Sequence, residues 1–137
     1  GKAERLLTNT EVKNPNDNGK SETVLTIEAP YLTQAPDGTY VLLFSAGSYA
    51  TANYFTGYAI SKKLSGPYHY KGALATTASL KNQIVGPGGA ELVQGKNNVE
   101  TLLLHGWING VNKTKSSRQL YELSFFWEEG HIPKVTK

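Results

Sequence analysis

The sequence predicts an all-β chain built from two repeats of a β-propeller blade, and three observations carry that prediction. The first is composition: among 137 residues there are 8 Tyr, 14 Gly and 6 Pro. Tyr and β-branched residues suit pleated strands, whereas Gly and Pro suit tight turns. The second is periodicity: no segment sustains a 3.6-residue apolar period over three helical turns. The third is an internal repeat. Val41-Leu42-Leu43-Phe44-Ser45 aligns with Thr101-Leu102-Leu103-Leu104-His105, and Tyr58-Ala59-Ile60-Ser61 aligns with Tyr121-Glu122-Leu123-Ser124, an offset of about 60 residues. Short strands between turns, recurring every ~40–50 residues, mark propeller blades. An immunoglobulin-like sandwich also uses many short strands. It lacks such a repeat, and this chain has no cysteine for a Cys-Trp-Cys pattern.

The elements follow in order. Asn14-Pro15-Asn16-Asp17-Asn18-Gly19 is loop chemistry, so residues 1–22 read as a leading segment in which no packed element starts, and regular structure occupies 23–137. Thr23 to Glu28 alternates Val24 and Thr26 with Leu25 and Ile27 and stops at Pro30, as a leading strand would. Tyr31 to Gln34 is a second short strand. Pro36-Asp37-Gly38 is a turn, because Pro presets φ and Gly accepts positive φ. Thr39 to Ser45 is a third strand, apolar on both faces, and Phe55 to Ser61 is a fourth. Ser65-Gly66-Pro67 turns the chain into a fifth at Tyr68-His69-Tyr70. The plan then repeats. Gly86-Pro87-Gly88-Gly89 leads into Ala90 to Val93, and Lys96-Asn97-Asn98 is a turn. Glu100 to Trp107 and Gln119 to Trp127 are strands, and Glu128-Glu129-Gly130 turns toward Ile132 to Val135.

Composition also excludes several function classes. The absence of cysteine removes disulfides, thiolate metal sites and cysteine nucleophiles. The net charge of +3 is dispersed, and the longest basic cluster is Lys113-Thr114-Lys115. A nucleic-acid binder concentrates more positive charge on one face. No stretch approaches the ~20 apolar residues of a membrane helix. Gly1-Lys2-Ala3-Glu4-Arg5 is too polar for a signal peptide. Asn112-Lys113-Thr114 would accept a glycan in a eukaryotic secreted protein.

Several segments taken together resemble glycoside hydrolase family 43. Ile27-Glu28-Ala29-Pro30-Tyr31-Leu32, followed by Asp37-Gly38-Thr39-Tyr40-Val41-Leu42-Leu43-Phe44-Ser45, is similar to the family's acid-bearing segment and hairpin. Tyr58-Ala59-Ile60-Ser61 with Ser65-Gly66-Pro67-Tyr68, Val85-Gly86-Pro87-Gly88, and Leu104-His105-Gly106-Trp107 resemble further family motifs. So does the closing run of Arg118-Gln119-Leu120-Tyr121, Trp127 and Gly130-His131-Ile132-Pro133. The resemblance spans residues 27–133. Two positions depart from it: Gly89 stands where the family often has His, and Leu104 where it has Tyr.

The resemblance implies the C-terminal part of a five-bladed propeller, about two blades plus the leading strand. It implies an inverting glycosidase of arabinose- or xylose-containing plant polysaccharides, with Glu28 as general acid. Cleavage needs such an acid on one side of the sugar and a base on the other. A carboxyl at the end of an apolar strand before Ala29-Pro30 is expected to be partly desolvated, which raises its pKa as a proton donor requires. The family's base and its acid-orienting carboxylate are Asp residues of upstream blades. This chain has only Asp17, in Asn-rich loop sequence, and Asp37, in a turn. Glu128 and Glu129 read as turn residues. The resemblance places His105 near the propeller axis, where it either contacts a calcium ion, directly or through water, or serves as a hydrogen-bonded core histidine; calcium prefers oxygen ligands. His69 and His131 fall at blade peripheries. Tyr31, Tyr49, Tyr54 and Trp107 are candidates for stacking on sugar rings, and each also suits a core or rim position.

Five blades of this size need roughly 250–300 residues. An isolated two-blade stack leaves an apolar face open at each end, and such faces mark partner sites. The chain is therefore expected to act with a second chain, either an N-terminal propeller fragment or another copy, in a secreted enzyme. The alternative is a non-catalytic carbohydrate-binding or structural remnant.

Overall fold

A computed structural model describes residues 2–15, 24–95, 98–111 and 115–136. Asp17, the sequon Asn112-Lys113-Thr114 and the Lys96-Asn97 part of a predicted turn lie outside the described residues. Two four-stranded antiparallel sheets follow each other along the chain. The first runs β1 (Ile27–Gln34), β2 (Tyr40–Ala46), β3 (Phe55–Ser61) and β4 (His69–Ala75). The second runs β5 (Val85–Gln94), β6 (Glu100–Trp107), β7 (Arg118–Glu128) and β8 (Ile132–Thr136). Each sheet keeps its strands in sequence order. A meander of this kind is the blade of a propeller.

The leading strand at Thr23–Glu28 is not a separate element. Ile27 and Glu28 belong to β1 together with Tyr31 to Gln34, and the ladder is interrupted by a bulge between Glu28 and Tyr31. Pro30 has no N–H to donate and Ala29 takes a positive φ of 50°. The chain therefore steps out of register and re-enters the same strand. β5 is bulged at the matching place, with register shifts on both sides of Gly88. The two sheets align strand for strand, so Glu28, opposite Ser45, corresponds to Gly88, opposite His105.

The sheets pack face to face through one apolar cluster. Val41 and Leu43 of β2, with Leu74 and Ala75 of β4, meet Leu92, Leu102, Leu104, Leu123 and Phe125 of the second sheet. β2 alternates: its odd positions face the second sheet, while Leu42, Phe44 and Ala46 face the other way. That other face is not bare. Val12 and Val24 are buried on it at 5% and 3% exposure, and Leu6 and Leu7 pack beside them. A short 3-10 turn at Asn9–Glu11 introduces this strap. The Glu11 carboxylate accepts from the Thr8 N–H at 2.8 Å, and Tyr70 ties the strap down by donating to the Lys13 carbonyl at 2.9 Å. A packed element therefore starts within the predicted leading loop: the apolar Leu6, Leu7 and Val12 outweigh the turn-forming residues around them. The outward face of the second sheet has no such cover among the described residues, with Leu120 81% and Phe126 45% exposed.

Candidate functional site

The inner strands β1 and β5 lie side by side where the two sheets meet, and their bulges gather polar groups at one end. Gly88 and Gly89 make this packing feasible. A Cβ on Gly88 would sit 2.1 Å from the Tyr54 ring, and one on Gly89 would sit 2.4 Å from His105 Nε2. Two aromatic rings thus occupy the volume that side chains at 88 and 89 would fill, a close approach that only glycine permits. The rings of Tyr54 and His105 stack, with centroids 6.4 Å apart and planes inclined by 14°. Gly89 N–H donates to Ser45 Oγ at 2.7 Å and so bridges the two sheets.

Glu28 stands on the rim of this cluster. Its Oε1 accepts a hydrogen bond from the Tyr54 hydroxyl at 2.9 Å. The Tyr54 ring is buried, at 2% exposure. Burial first, and then the neighbouring Glu28 carboxylate, push the Tyr54 phenol up to about 12. The phenol therefore remains a donor throughout the neutral range. The carboxylate itself is exposed, which corrects the expectation of a partly desolvated Glu28. The bulge turns it away from the apolar strand interior and onto the open end of the sheets.

Behind Tyr54, Arg118 organises the second sheet's contribution. Its Nε and Nη2 lie 2.9 and 2.6 Å from His105 Nδ1. Nη2 donates to the carbonyls of Gly86 at 2.7 Å and His105 at 3.1 Å, and Nη1 donates to that of Tyr49 at 3.2 Å. The guanidinium lies over the rings of Tyr54 and Trp107, 5.3 and 5.6 Å from their centroids, so a cation is held against two π faces. Desolvation, then the Arg118 charge, hold His105 below the usual imidazole range, with Glu28 opposing.

The structure brings Glu28, Tyr54, His105 and Trp107 into one neighbourhood. The aromatic candidates take different parts in it. Tyr31 is packed between the sheets and donates to the Leu92 carbonyl at 3.0 Å, so it is an inter-blade contact rather than a stacking surface. Tyr54 and Trp107 are both buried, and Trp107 donates to the Tyr49 carbonyl at 2.8 Å. These two rings support the site from below, with no face free for a sugar. Tyr49, at 56% exposure, keeps an open ring. Arg118 was legible only as one letter of a closing motif. Its role depends on β6–β7 register, which sets Arg118 opposite Trp107.

Among the described residues no group of three His, Cys, Asp or Glu side chains could hold a metal ion. The residues present do not fit direct coordination of calcium by His105. Nδ1 is taken by an arginine that stays protonated, and the same guanidinium repels a cation. Asp37, in the β1–β2 turn, lies at the far end of the hairpin. The span from Glu28 to Gln34 at ~3.3 Å per residue is about 20 Å, well beyond the ~6.5–9.5 Å between the carboxyls of an inverting pair.

Two four-stranded blades carrying a rim carboxylate at their shared end define a β-propeller segment. Solved structures that superpose on it include glycoside hydrolases. A thermostable family-43 glycoside hydrolase superposes with a TM-score of 0.69 at 22% identity, over 81% of this chain and 35% of its own. An endo-1,4-β-xylanase from Bacteroides thetaiotaomicron gives 0.69 at 24% identity, over 82% and 38%. An α-L-arabinanase from Cellvibrio cellulosa, also solved with arabinohexaose, gives 0.66 at 21%, over 85% and 39%. The chain thus spans between a third and two fifths of the length of these three proteins. No protein-family model and no curated protein matches the sequence.

Proposed function

We propose that this chain supplies the acid-bearing blades of a glycoside hydrolase acting on xylose- or arabinose-containing polysaccharides. Glu28 serves as the general acid that protonates the leaving oxygen. The observation that carries this reading is the Tyr54–Glu28 contact, in which a buried phenol fixes one carboxylate oxygen at 2.9 Å. The second oxygen is left to face substrate. In this reading the mechanism is inverting, and the base and acid-orienting carboxylates come from a second polypeptide or an upstream segment. That body docks on the outward face of the second sheet, where Leu120 and Phe126 are exposed. The setting is secreted. Calcium at the axis, if used, is held by groups other than His105.

The test is hydrolysis of xylo- and arabino-oligosaccharides by the parent assembly with Glu28 intact and as Glu28→Gln. General acid catalysis contributes about 10²–10⁴-fold, so a loss of that size is expected, larger for poor leaving groups than for activated aryl glycosides. Unchanged hydrolysis removes Glu28 from the mechanism. A second reading, a non-catalytic carbohydrate-binding module, is favoured by one observation. Asp37, the one Asp among the described residues, is engaged by Thr39 and lies close to Lys62 and His131, far from Glu28. Binding of the same sugars without turnover in every assembly state would establish it.

A further inference from the structure

We infer that His105 is a tautomer-locked hydrogen-bond donor, presenting Nε2–H to an oxygen of a bound sugar over Gly89, and not a cation ligand. The inference deepens the reading of a sugar-binding site and rests on it for the ligand class. The lock itself rests only on geometry.

Arginine donates and never accepts, because its guanidinium stays protonated in proteins. Two of its nitrogens converge on His105 Nδ1, at 2.9 and 2.6 Å. Nδ1 therefore offers its lone pair, and in the neutral ring the proton resides on Nε2. A ring in this state has no lone pair left for a metal. Arg118 is itself held in place by the carbonyls of Gly86, Tyr49 and His105, so the lock does not depend on a single contact.

Nε2 points into the space beside Gly89. A side chain at 89 would begin 2.4 Å from it. Among the described residues no hydrogen-bond acceptor meets Nε2, yet it is not among the buried polar atoms left without a partner. It is therefore open to an incoming acceptor. Glu28 and His105 share one neighbour, since the Tyr54 hydroxyl donates to Glu28 and the Tyr54 ring stacks on His105. An imidazole delivered from β6 thus reaches the point above β5 where the sequence has replaced a side chain with glycine.

The experiment is ¹⁵N NMR of the uniformly labelled intact chain, reading imidazole tautomers from two-bond proton correlations, together with the backbone amides, that of Tyr49 among them. His105→Gln identifies the His105 signals. If that variant does not fold, His69→Gln and His131→Gln identify them by elimination among the three histidines. The expected result is a single Nε2–H tautomer that stays unchanged in about 5 mM calcium, above the ~0.1–1 mM at which weak extracellular sites fill. Xylo- or arabino-oligosaccharide should shift the Nε2 proton. An Nδ1–H tautomer, or calcium-induced shifts at both ring nitrogens, overturns the lock. Sugar that perturbs Tyr49 but leaves Nε2–H unmoved overturns the donor role alone. Sugar that moves no signal anywhere, in the chain alone and in its active assembly, overturns the sugar-site reading and with it this ligand class, while the tautomer and calcium results stand separately.

Discussion

Tyr54 shows how one residue links packing to chemistry. Its ring fills the space above Gly88, and its hydroxyl fixes Glu28. The phenol is raised to about 12, so the folded state releases its proton later than the unfolded chain, which titrates near 10. A raised group contributes stability fully below the unfolded value and loses it as pH rises through the folded one. Alkaline unfolding is therefore expected to steepen between about pH 10 and 12, and Tyr54→Phe is expected to flatten that slope in chemical denaturation series. At neutral pH the same substitution removes one side-chain hydrogen bond, worth about 1 kcal/mol. It should also lower kcat of the active assembly more than it raises KM, because it frees the acid without removing it. The sequence offered Tyr54 either as a sugar platform or as a core or rim residue. The strand spacing that pointed to it could not tell a ring above the site from a ring beneath it.

At the scale of elements, the hairpins and turns carry information of two kinds. Strand positions were legible, because the apolar runs at 41–45 and 101–105 fall on β2 and β6 and their offset is the blade repeat. The bulge in β1 was not. It needs Ala29 at φ 50° as well as Pro30, and sequence alone read that punctuation as the end of a strand. The turn at Pro36-Asp37-Gly38 was read correctly and incompletely. Asp37 Oδ1 accepts from the Thr39 N–H at 2.8 Å, the local turn contact. That hydrogen bond is the main reason its carboxyl sits below the usual range, with Lys62 and His131 adding to it. Its Oδ2 lies 3.1 Å from His131 Nδ1 in the other blade, close enough for ion pairing but not aligned as a hydrogen bond. Asp37→Asn keeps the turn and removes the carboxylate charge beside Lys62 and His131. The expected effect is a fall in Tm of no more than a few degrees that shrinks in high salt, as exposed pairs do. Asp37 has a depressed value, so its contribution is present above the unfolded pKa and disappears as acid titrates the folded carboxylate. Thermal scans between pH 7 and 3 should bring the two proteins together at the acid end.

For the molecule as a whole, the fold class was legible because two repeats at an offset of about 60 residues show the same short apolar strands separated by turns. The cover on the first sheet was not, since nothing in the spacing of Leu6, Leu7 and Val12 says which face they will meet. The expectation of an open apolar face at each end therefore holds fully for one end among the described residues, while the first sheet's outward face is partly covered and keeps Leu32 40% exposed. Leu120 and Phe126 make the outward face of the second sheet adhesive. Leu120→Lys with Phe126→Lys is expected to shift the chain toward monomer, or away from its partner, in native mass spectrometry at micromolar concentration. Both substituted side chains point outward, so the stability of the chain itself should change by less than about 0.5 kcal/mol. An unchanged mass distribution would show that this face is not used.

The strap of residues 6–12 has a further effect through symmetry. A body with complementary sticky surfaces at both ends stacks head to tail and grows into a fibre unless the rotation closes. By covering part of one end with its own N-terminal residues, this chain makes the outward face of the second sheet the more open of its two ends among the described residues. Two copies meeting through that same face would form a closed pair rather than an endless stack.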